Sequence, residues 1–232
     1  MNVRILLSLA GGLGLFLFGM DLMSDSIEKV ASARLRRILE IFTTNRFTGM
    51  LVGIVFTGII QSSSACTAMV VSFVNSGLMN LYQAAGVIFG ANIGTTITSQ
   101  LVSFNLSAVA PVFLLCGVLV MMFSKKEKVK KFAEVIVGFG ILFTGLNTMS
   151  NGMAEMKNVP EVVDLLKSLN NPLLATVVGT VLTAVIQSSS VTVSIVLLLA
   201  NQGFLDLGIC LYIILGCNIG ACATALIASL PG

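Results

Sequence analysis

Apolar residues run in long blocks along this chain, and the same short polar clusters interrupt them twice. Residues 5–23 are almost wholly apolar and long enough for a helix that spans a bilayer. An amphipathic stretch follows, with Ile27, Val30, Leu35, Ile38 and Phe42 on one stripe and Arg34, Arg36 and Arg37 off it, the pattern of a helix lying in the membrane interface. The block 47–76 is cut in its middle by Gln61, Ser62, Ser63 and Ser64, which predicts a helical hairpin. The block 81–101 is cut by Asn92, Gly94 and the threonines beyond, which predicts a broken transmembrane helix. A plain apolar helix over 106–123 comes next. The series then recurs as a spanning segment around 135–149, a stretch in which Pro160 starts a helix afresh, a hairpin over 173–202 and a broken helix over 207–230.

Sliding the chain against itself by 126 residues lays positions 12–101 on 138–227 and matches 26 of 90 places without a gap. Gln61, Ser62, Ser63 and Ser64 fall on Gln187, Ser188, Ser189 and Ser190. Gly90, Asn92, Ile93 and Gly94 fall on Gly216, Asn218, Ile219 and Gly220, while Gly12, Gly14 and Gly19 fall on Gly138, Gly140 and Gly145. Duplicated units around polar helix breaks are a mark of secondary transporters. Because the apolar N-terminal segment has an internal copy, it reads as structure and not as a cleaved leader.

Composition narrows the class. Of the 232 residues 56% are hydrophobic and 10% charged, far from the roughly one quarter charged of a soluble domain. No Asp, Glu, Lys or Arg occurs in 47–124, a stretch of 78 residues that cannot coat a water-exposed surface. The chain has no histidine, which removes imidazole catalysis, haem ligation and histidine zinc sites. Five cysteines, Cys66, Cys116, Cys210, Cys217 and Cys222, lie in apolar segments and read as free thiols in helices. No basic stretch carries the interleaved aromatics of a nucleic-acid module, so nucleic acid is not an expected partner.

Length and charge together decide the topology. The hairpin legs 47–60 and 65–76 would be about 21 and 18 Å long, short of the ~30 Å hydrocarbon core, so the hairpin is re-entrant. Each unit then crosses three times, and an odd number inverts the second unit. This arrangement puts Lys29, Arg34, Arg36, Arg37, Arg46, Lys125, Lys126, Lys128, Lys130 and Lys131 on one side, with only Arg4, Lys157 and Lys167 on the other. The positive-inside rule places the N-terminus outside a multi-pass protein of the plasma membrane or cell inner membrane. The expected fold is an all-α polytopic membrane protein with two inverted-topology repeats, each with a re-entrant helical hairpin and a broken transmembrane helix. Repeat 1 occupies 1–104, a linker transmembrane helix 105–124, and repeat 2 occupies 125–232.

Serines in membrane helices ordinarily bond their own backbone, and Ser8, Ser72 and Ser194 fit that use. Three consecutive serines after a glutamine, twice at one offset, do not. Unwound backbone at membrane depth is tolerated where it lines a cavity or is buried in protein. A helix restarting after Ser64 or Ser190 offers N–H groups and a positive dipole end to an anion. With no lysine or arginine inside these segments, a bound anion needs co-bound cations, and Gln, Asn, Ser, Thr and carbonyl oxygens suit sodium.

Gln-Ser-Ser-Ser in two copies, each followed by Gly-x-Asn-Ile-Gly, resembles the sodium/phosphate cotransporter family of type II and its bacterial relatives, and ASARLRRIL, ending at Leu39, resembles the bacterial branch. The resemblance covers essentially the whole chain. It implies secondary active transport of inorganic phosphate coupled to sodium, an ion that is coupling partner and not prosthetic group. The implied substrate site is Gln61, Ser62, Ser63, Ser64, Gln187, Ser188, Ser189 and Ser190 with Asn92 and Asn218. The implied sodium ligands come from Gln61, Ser64, Thr95, Thr96, Thr98, Gln187, Ser190 and Thr224. In the second copy Ala221, Cys222 and Ala223 stand where the family usually has threonines. Many bacterial relatives carry further helices and a cytoplasmic PhoU-type domain beyond the point matching Gly232, so a PhoU-type partner and a homo-oligomer join phosphate and the lipid bilayer as expected partners.

Rival readings are a transporter of sulfate or dicarboxylates and a structural membrane protein that transports nothing. An intramembrane serine hydrolase needs a base beside its nucleophile, and with no histidine and every lysine in a predicted loop the chain is not expected to be an enzyme. Asp21, whose copy is Asn147, is the one carboxylate close to a spanning segment and a candidate for ion coupling.

Overall fold

The computed structural model describes residues 3–104, 106–156, 159 and 171–229. Among them the chain is helical apart from short connections: α1 Val3–Phe42, α2 Arg46–Ile60, α3 Ser63–Asn75, α4 Leu81–Ser103, α5 Ala110–Phe123, α6 Glu127–Met156, α7 Pro172–Ile186, α8 Ser189–Asn201 and α9 Leu207–Ser229. Val3–Ala31 of α1, all of α6 and Leu207–Ile227 of α9 are long and apolar enough to cross a membrane. Large apolar side chains such as Leu51, Phe89, Leu115 and Leu215 are exposed, which suits a surface solvated by lipid. This is a membrane protein.

The duplication is written into the element bounds. Helices α2, α3 and α4 begin and end 126 residues before α7, α8 and α9. The chain forms two compact units, and each draws on both copies: Met1–Val30 with Val102–Asn171 and Val196–Cys210, and Ala31–Leu101 with Pro172–Ile195 and Leu211–Gly232.

In the first unit α1 and α6 pack antiparallel. Gly12 lies against Gly145 and Met149, Gly19 against Gly138 and Leu142, and Gly152 against Ser8 and Leu9. Ser26 extends the same line, its buried hydroxyl donating to Glu134 Oε2 at 2.7 Å. A Cβ on Gly145 would stand 2.6 Å from the Gly12 carbonyl, and one on Gly19 would stand 2.6 Å from the Gly138 carbonyl. Under the repeat offset these two contacts exchange. Helix α5 packs antiparallel on α6 through Gly117 against Val137, Gly140 against Leu114, and Phe113 edge-on to Phe139 at 5.1 Å.

In the second unit α2 runs parallel to α4. Gly53 faces the Val87 carbonyl, Gly90 the Met50 carbonyl, and Gly94 the Ile54 carbonyl and Thr57. The second copy repeats every contact, with Gly179 on Ile213, Gly216 on Thr176, and Gly220 on Thr180 and Thr183. Small residues let backbones approach closely where lipid offers no hydrophobic drive for helix association. Phe56, Ile60, Cys66, Val70, Phe73 and Val87 fill a buried cluster between α2, α3 and α4.

Four expectations need correction. The spanning segment 5–23 and the amphipathic stretch form one helix, α1, because no proline or glycine separates Met20 from Phe42. The predicted breaks at Asn92 and Gly94, and at Asn218 and Gly220, are absent: α4 and α9 run through them unbroken, since the glycines serve close approach. The linker helix starts at Ala110 after a 3-10 turn over Leu106–Ala108, with Pro111 in its first turn, where a missing N–H costs nothing. Helices α3 and α8 restart at Ser63 and Ser189, earlier than expected, so Ser64 and Ser190 lie in first turns. Pro160 lies outside the described residues. All five cysteines are free and helical, as expected, with Cys116 and Cys222 exposed.

The glycine contacts yield a paired test. Gly90→Ala and Gly216→Ala should each destabilise the protein by about 1–3 kcal/mol through overpacking, while Gly14→Ala, where no neighbour lies within 4 Å, should leave stability unchanged or raise it. Unfolding of the detergent-solubilised protein measures both.

Candidate substrate and cation site

Each hairpin break is two residues of non-helical backbone. Gln61 ends α2 in the left-handed region at φ 62°, and its N–H donates to the Thr57 carbonyl at 2.8 Å. Gln187 ends α7 in the same way at φ 56°, donating to the Thr183 carbonyl at 2.7 Å. They are the non-glycine residues with positive φ among those described. A side chain rarely adopts this conformation, which costs of order 1–3 kcal/mol and persists where the surroundings fix it. Ser62 then turns extended and caps α3, its Oγ accepting from the Ala65 N–H at 3.2 Å.

The Gln61 amide is tied at both ends. Its Nε2 donates to the Gly58 carbonyl at 2.6 Å, and its Oε1 accepts from the Thr98 hydroxyl at 2.5 Å. Gln61 and Thr98 are both buried. An amide oxygen has two lone pairs, so Oε1 keeps one for a ligand. Thr98 is thus the threonine of α4 that reaches the tip. Thr95 donates to the Ala91 carbonyl at 3.0 Å and Thr96 to the Ile93 carbonyl at 2.6 Å, both within their own helix.

The two tips touch. Ser64 Oγ donates to the Gln187 main-chain carbonyl at 3.3 Å. Ser63, Ser188 and Ser189 are half-buried and Ser190 buried, its carbonyl accepting from Ser194 Oγ at 2.8 Å, the backbone use expected of Ser194. The Gln187 side chain is exposed. Asn92 is half-buried and Asn218 exposed, and among the described residues no hydrogen bond joins either side chain to a tip. The Thr224 side chain lies outside the described residues. Asp21 is exposed on α1. The arrangement presents hydroxyls, one tied amide and the N-terminal ends of α3 and α8 around one place, donors for an oxyanion and hard oxygens for a small cation.

Sequence reasoning passed over a second threonine pair. Thr57 and Thr183, whose carbonyls close the two glutamine turns, are buried repeat partners. Thr183 donates to Thr192 across its hairpin at 3.1 Å, and in the first copy the Cys66 thiol stands where the second has Thr192, beside the Thr57 hydroxyl. Their identity at the repeat offset is the signal that marks them.

Known proteins place the chain. YqeW of Bacillus subtilis (strain 168), an uncharacterized protein, is 31% identical over 229 residues, 98% of this chain and 74% of the relative. YjbB of Escherichia coli (strain K12), whose name proposes inorganic phosphate export, is 26% identical over 217 residues, 93% of this chain but only 40% of the relative. Human sodium-dependent phosphate transport protein 2B is 34% identical over 100 residues, 42% of this chain and 14% of that protein. No solved structure matches the chain. A family model described as Na+/Pi-cotransporter matches residues 15–151 and 152–231, and the chain therefore belongs to the Na+/Pi-cotransporter family.

Proposed function

We propose that the protein carries inorganic phosphate across the membrane in step with sodium, and that the two Gln-Ser-Ser-Ser tips form the shared site. The Ser64 hydroxyl on the Gln187 carbonyl carries this reading, because it joins at one place the two breaks through residues that lie 123 apart in the chain. Membership of the family supports phosphate and sodium as cargo and coupling ion, as do the names of YjbB and transport protein 2B.

The chemistry follows from the donors present. Phosphate oxygens accept from the serine hydroxyls and from the first-turn N–H groups of α3 and α8, which have no helical partner and sit at positive dipole ends. No lysine or arginine occurs in 47–76 or 173–202, so sodium offsets the anion's charge. The free lone pair of Gln61 Oε1, held in place by Thr98, is a hard ligand for that ion. Thr98 has a threonine counterpart, Thr224, whereas Thr95 does not, so the copies can match at the position that reaches the tip.

Inverted topology belongs to the same proposal. The repeat partners α1 and α6 pack antiparallel, which supports opposite orientations for the two copies. Arg46 at the start of α2 lies against Gly86 near the start of α4, and α3 ends at Asn75, shortly before α4 begins, which supports a hairpin that returns to the end it left. A PhoU-type partner and self-assembly remain part of this reading for the longer proteins of the family, of which the chain spans two fifths in the case of YjbB.

Flux of labelled phosphate into proteoliposomes should follow an imposed sodium gradient and not a proton gradient, and arsenate should compete better than sulfate or succinate. Gln61→Ala and Gln187→Ala should each lose most of the flux while still reaching the membrane, consistent with about 1–3 kcal/mol lost in binding. Near-normal phosphate affinity in either variant would refute a shared site. Thr98→Val should raise the sodium concentration for half-maximal flux roughly tenfold, and Thr95→Val should leave it nearly unchanged. Single cysteines at Ser76 and Arg37, in a cysteine-free background, should be labelled from the same, cytoplasmic, side; labelling from opposite sides would overturn the re-entrant hairpin.

A further inference from the structure

Where α2 and α4 begin side by side, their outer faces leave a groove of about 410 Å³ bounded by Arg46, Phe47, Met50, Tyr82, Gly86 and Phe89. All six belong to the second unit, and none takes part in the tip site. Phe47, Tyr82 and Phe89 are 64, 81 and 67% exposed, so the groove is an aromatic surface with an apolar body and a polar rim. Glycine sets its floor. A Cβ on Gly86 would collide with the Arg46 carbonyl, so glycine there lets the start of α2 rest on α4.

The rim carries one charge. The Arg46 guanidinium lies over the Phe47 ring, 5.1 Å from its centre, and among the described residues no carboxylate pairs with it. No Asp or Glu occurs anywhere in 41–126. Lys29 and Lys131, by contrast, pair with Asp25 and Glu134. Asn45 caps the Phe47 and Thr48 N–H groups and Asn80 that of Gln83, so what the groove offers an anion is the guanidinium itself. Its planar fork of donors can hold two oxygens of one phosphate group. The Tyr82 phenol in the same lining is a further donor.

The second copy lacks these features. Its matching positions hold Pro172 for Arg46, Gly208 for Tyr82 and Tyr212 for Gly86, and Asp206 replaces Asn80. Cation and phenol are gone, the floor position carries a ring, and a negative charge is added. The charged groove is therefore no by-product of the glycine packing between the paired helices, which both copies share.

We propose that this groove is a binding site for an anionic phospholipid, with its phosphodiester on Arg46 and Tyr82 and an acyl chain laid along Phe47, Met50 and Phe89. Such a ligand needs apolar surface running away from the charged group, and Phe89 lies about 10 Å along α4 from Tyr82. A free inorganic anion would use the guanidinium and leave that surface idle. On the orientation proposed above, this end of the protein faces the cytoplasm, whose leaflet carries the negative surface charge.

The chain has no tryptophan, so Phe89→Trp gives a single fluorescent reporter in the groove. The protein is placed in vesicles with phosphatidylglycerol and phosphatidylcholine in both leaflets, one of the two brominated on its acyl chains at a time. Quenching then reads their relative affinity whatever the orientation. Phosphatidylglycerol should bind about fivefold better. Arg46→Ala should bring the ratio close to one, as should Arg46→Gln, which serves if the alanine variant fails to fold. Leu215→Trp, the matching reporter in the second copy, should show no preference. Equal quenching by the two lipids at Phe89→Trp would overturn the proposal, as would a preference that survives loss of the arginine or recurs at Leu215→Trp. A preference abolished by added inorganic phosphate would mean that a free anion holds the guanidinium. A reporter shielded from both lipids would mean that a second copy or another protein covers the groove. Either result would refute a lipid site.

Discussion

Backbone pressed on backbone at bare glycines is what the hairpin tips rest upon. A glutamine in the left-handed region is strained, and a hydroxyl-to-amide bond across two helices tolerates little displacement. Thr98 reaches Gln61 because Gly90 and Gly94 let α4 lie directly on the carbonyls of Met50 and Ile54. A methyl group at either glycine would push the helices apart by more than the slack in that bond. The same geometry recurs at Gly216 and Gly220 over Thr176 and Thr180, so both turns stand on the same kind of support.

Equal support does not make equal tips. Gln61 is buried and tied at both ends of its amide, while the Gln187 side chain is exposed. The second hairpin is stitched by Thr183 to Thr192, a pair of hydroxyls, and the first has the softer Cys66 thiol beside Thr57 at the matching place. The two tips therefore differ most at their amides, one tied at both ends and the other open to the surroundings.

Much of this was legible in the sequence because repetition filters out composition. Gln61–Ser64 stood out at one offset against 26 matches in 90, and the structure turns the chain at that glutamine in both copies. Glycine was the ambiguous letter. Gly94 beside Asn92 reads equally as a break or as a place for close approach, and only the partner helix, invisible in a linear pattern, decides between them. The length of α1 escaped for a related reason, since a change from apolar to amphipathic character marks a change of surroundings and not the end of a helix. Spacing held part of a clue: Val87, Ala91, Thr95 and Thr98 share one buried helical face while Thr96 lies off it, but only the structure shows that Thr98 and not Thr95 reaches Gln61.

The crossing of α1 and α6 has a consequence for how such a chain can change. Gly12 meets Gly145 and Gly19 meets Gly138, two contacts that swap under the duplication, so the interface is self-complementary in the way of a symmetric dimer. The covalent chain thus holds together two surfaces that are complementary in the way of two identical partners. In a symmetric dimer any substitution at either glycine position strikes the interface twice. Within one chain each half can differ by itself, and Ser26 bonded to Glu134 at one end, where Gly152 rests on Ser8 at the other, is such a difference.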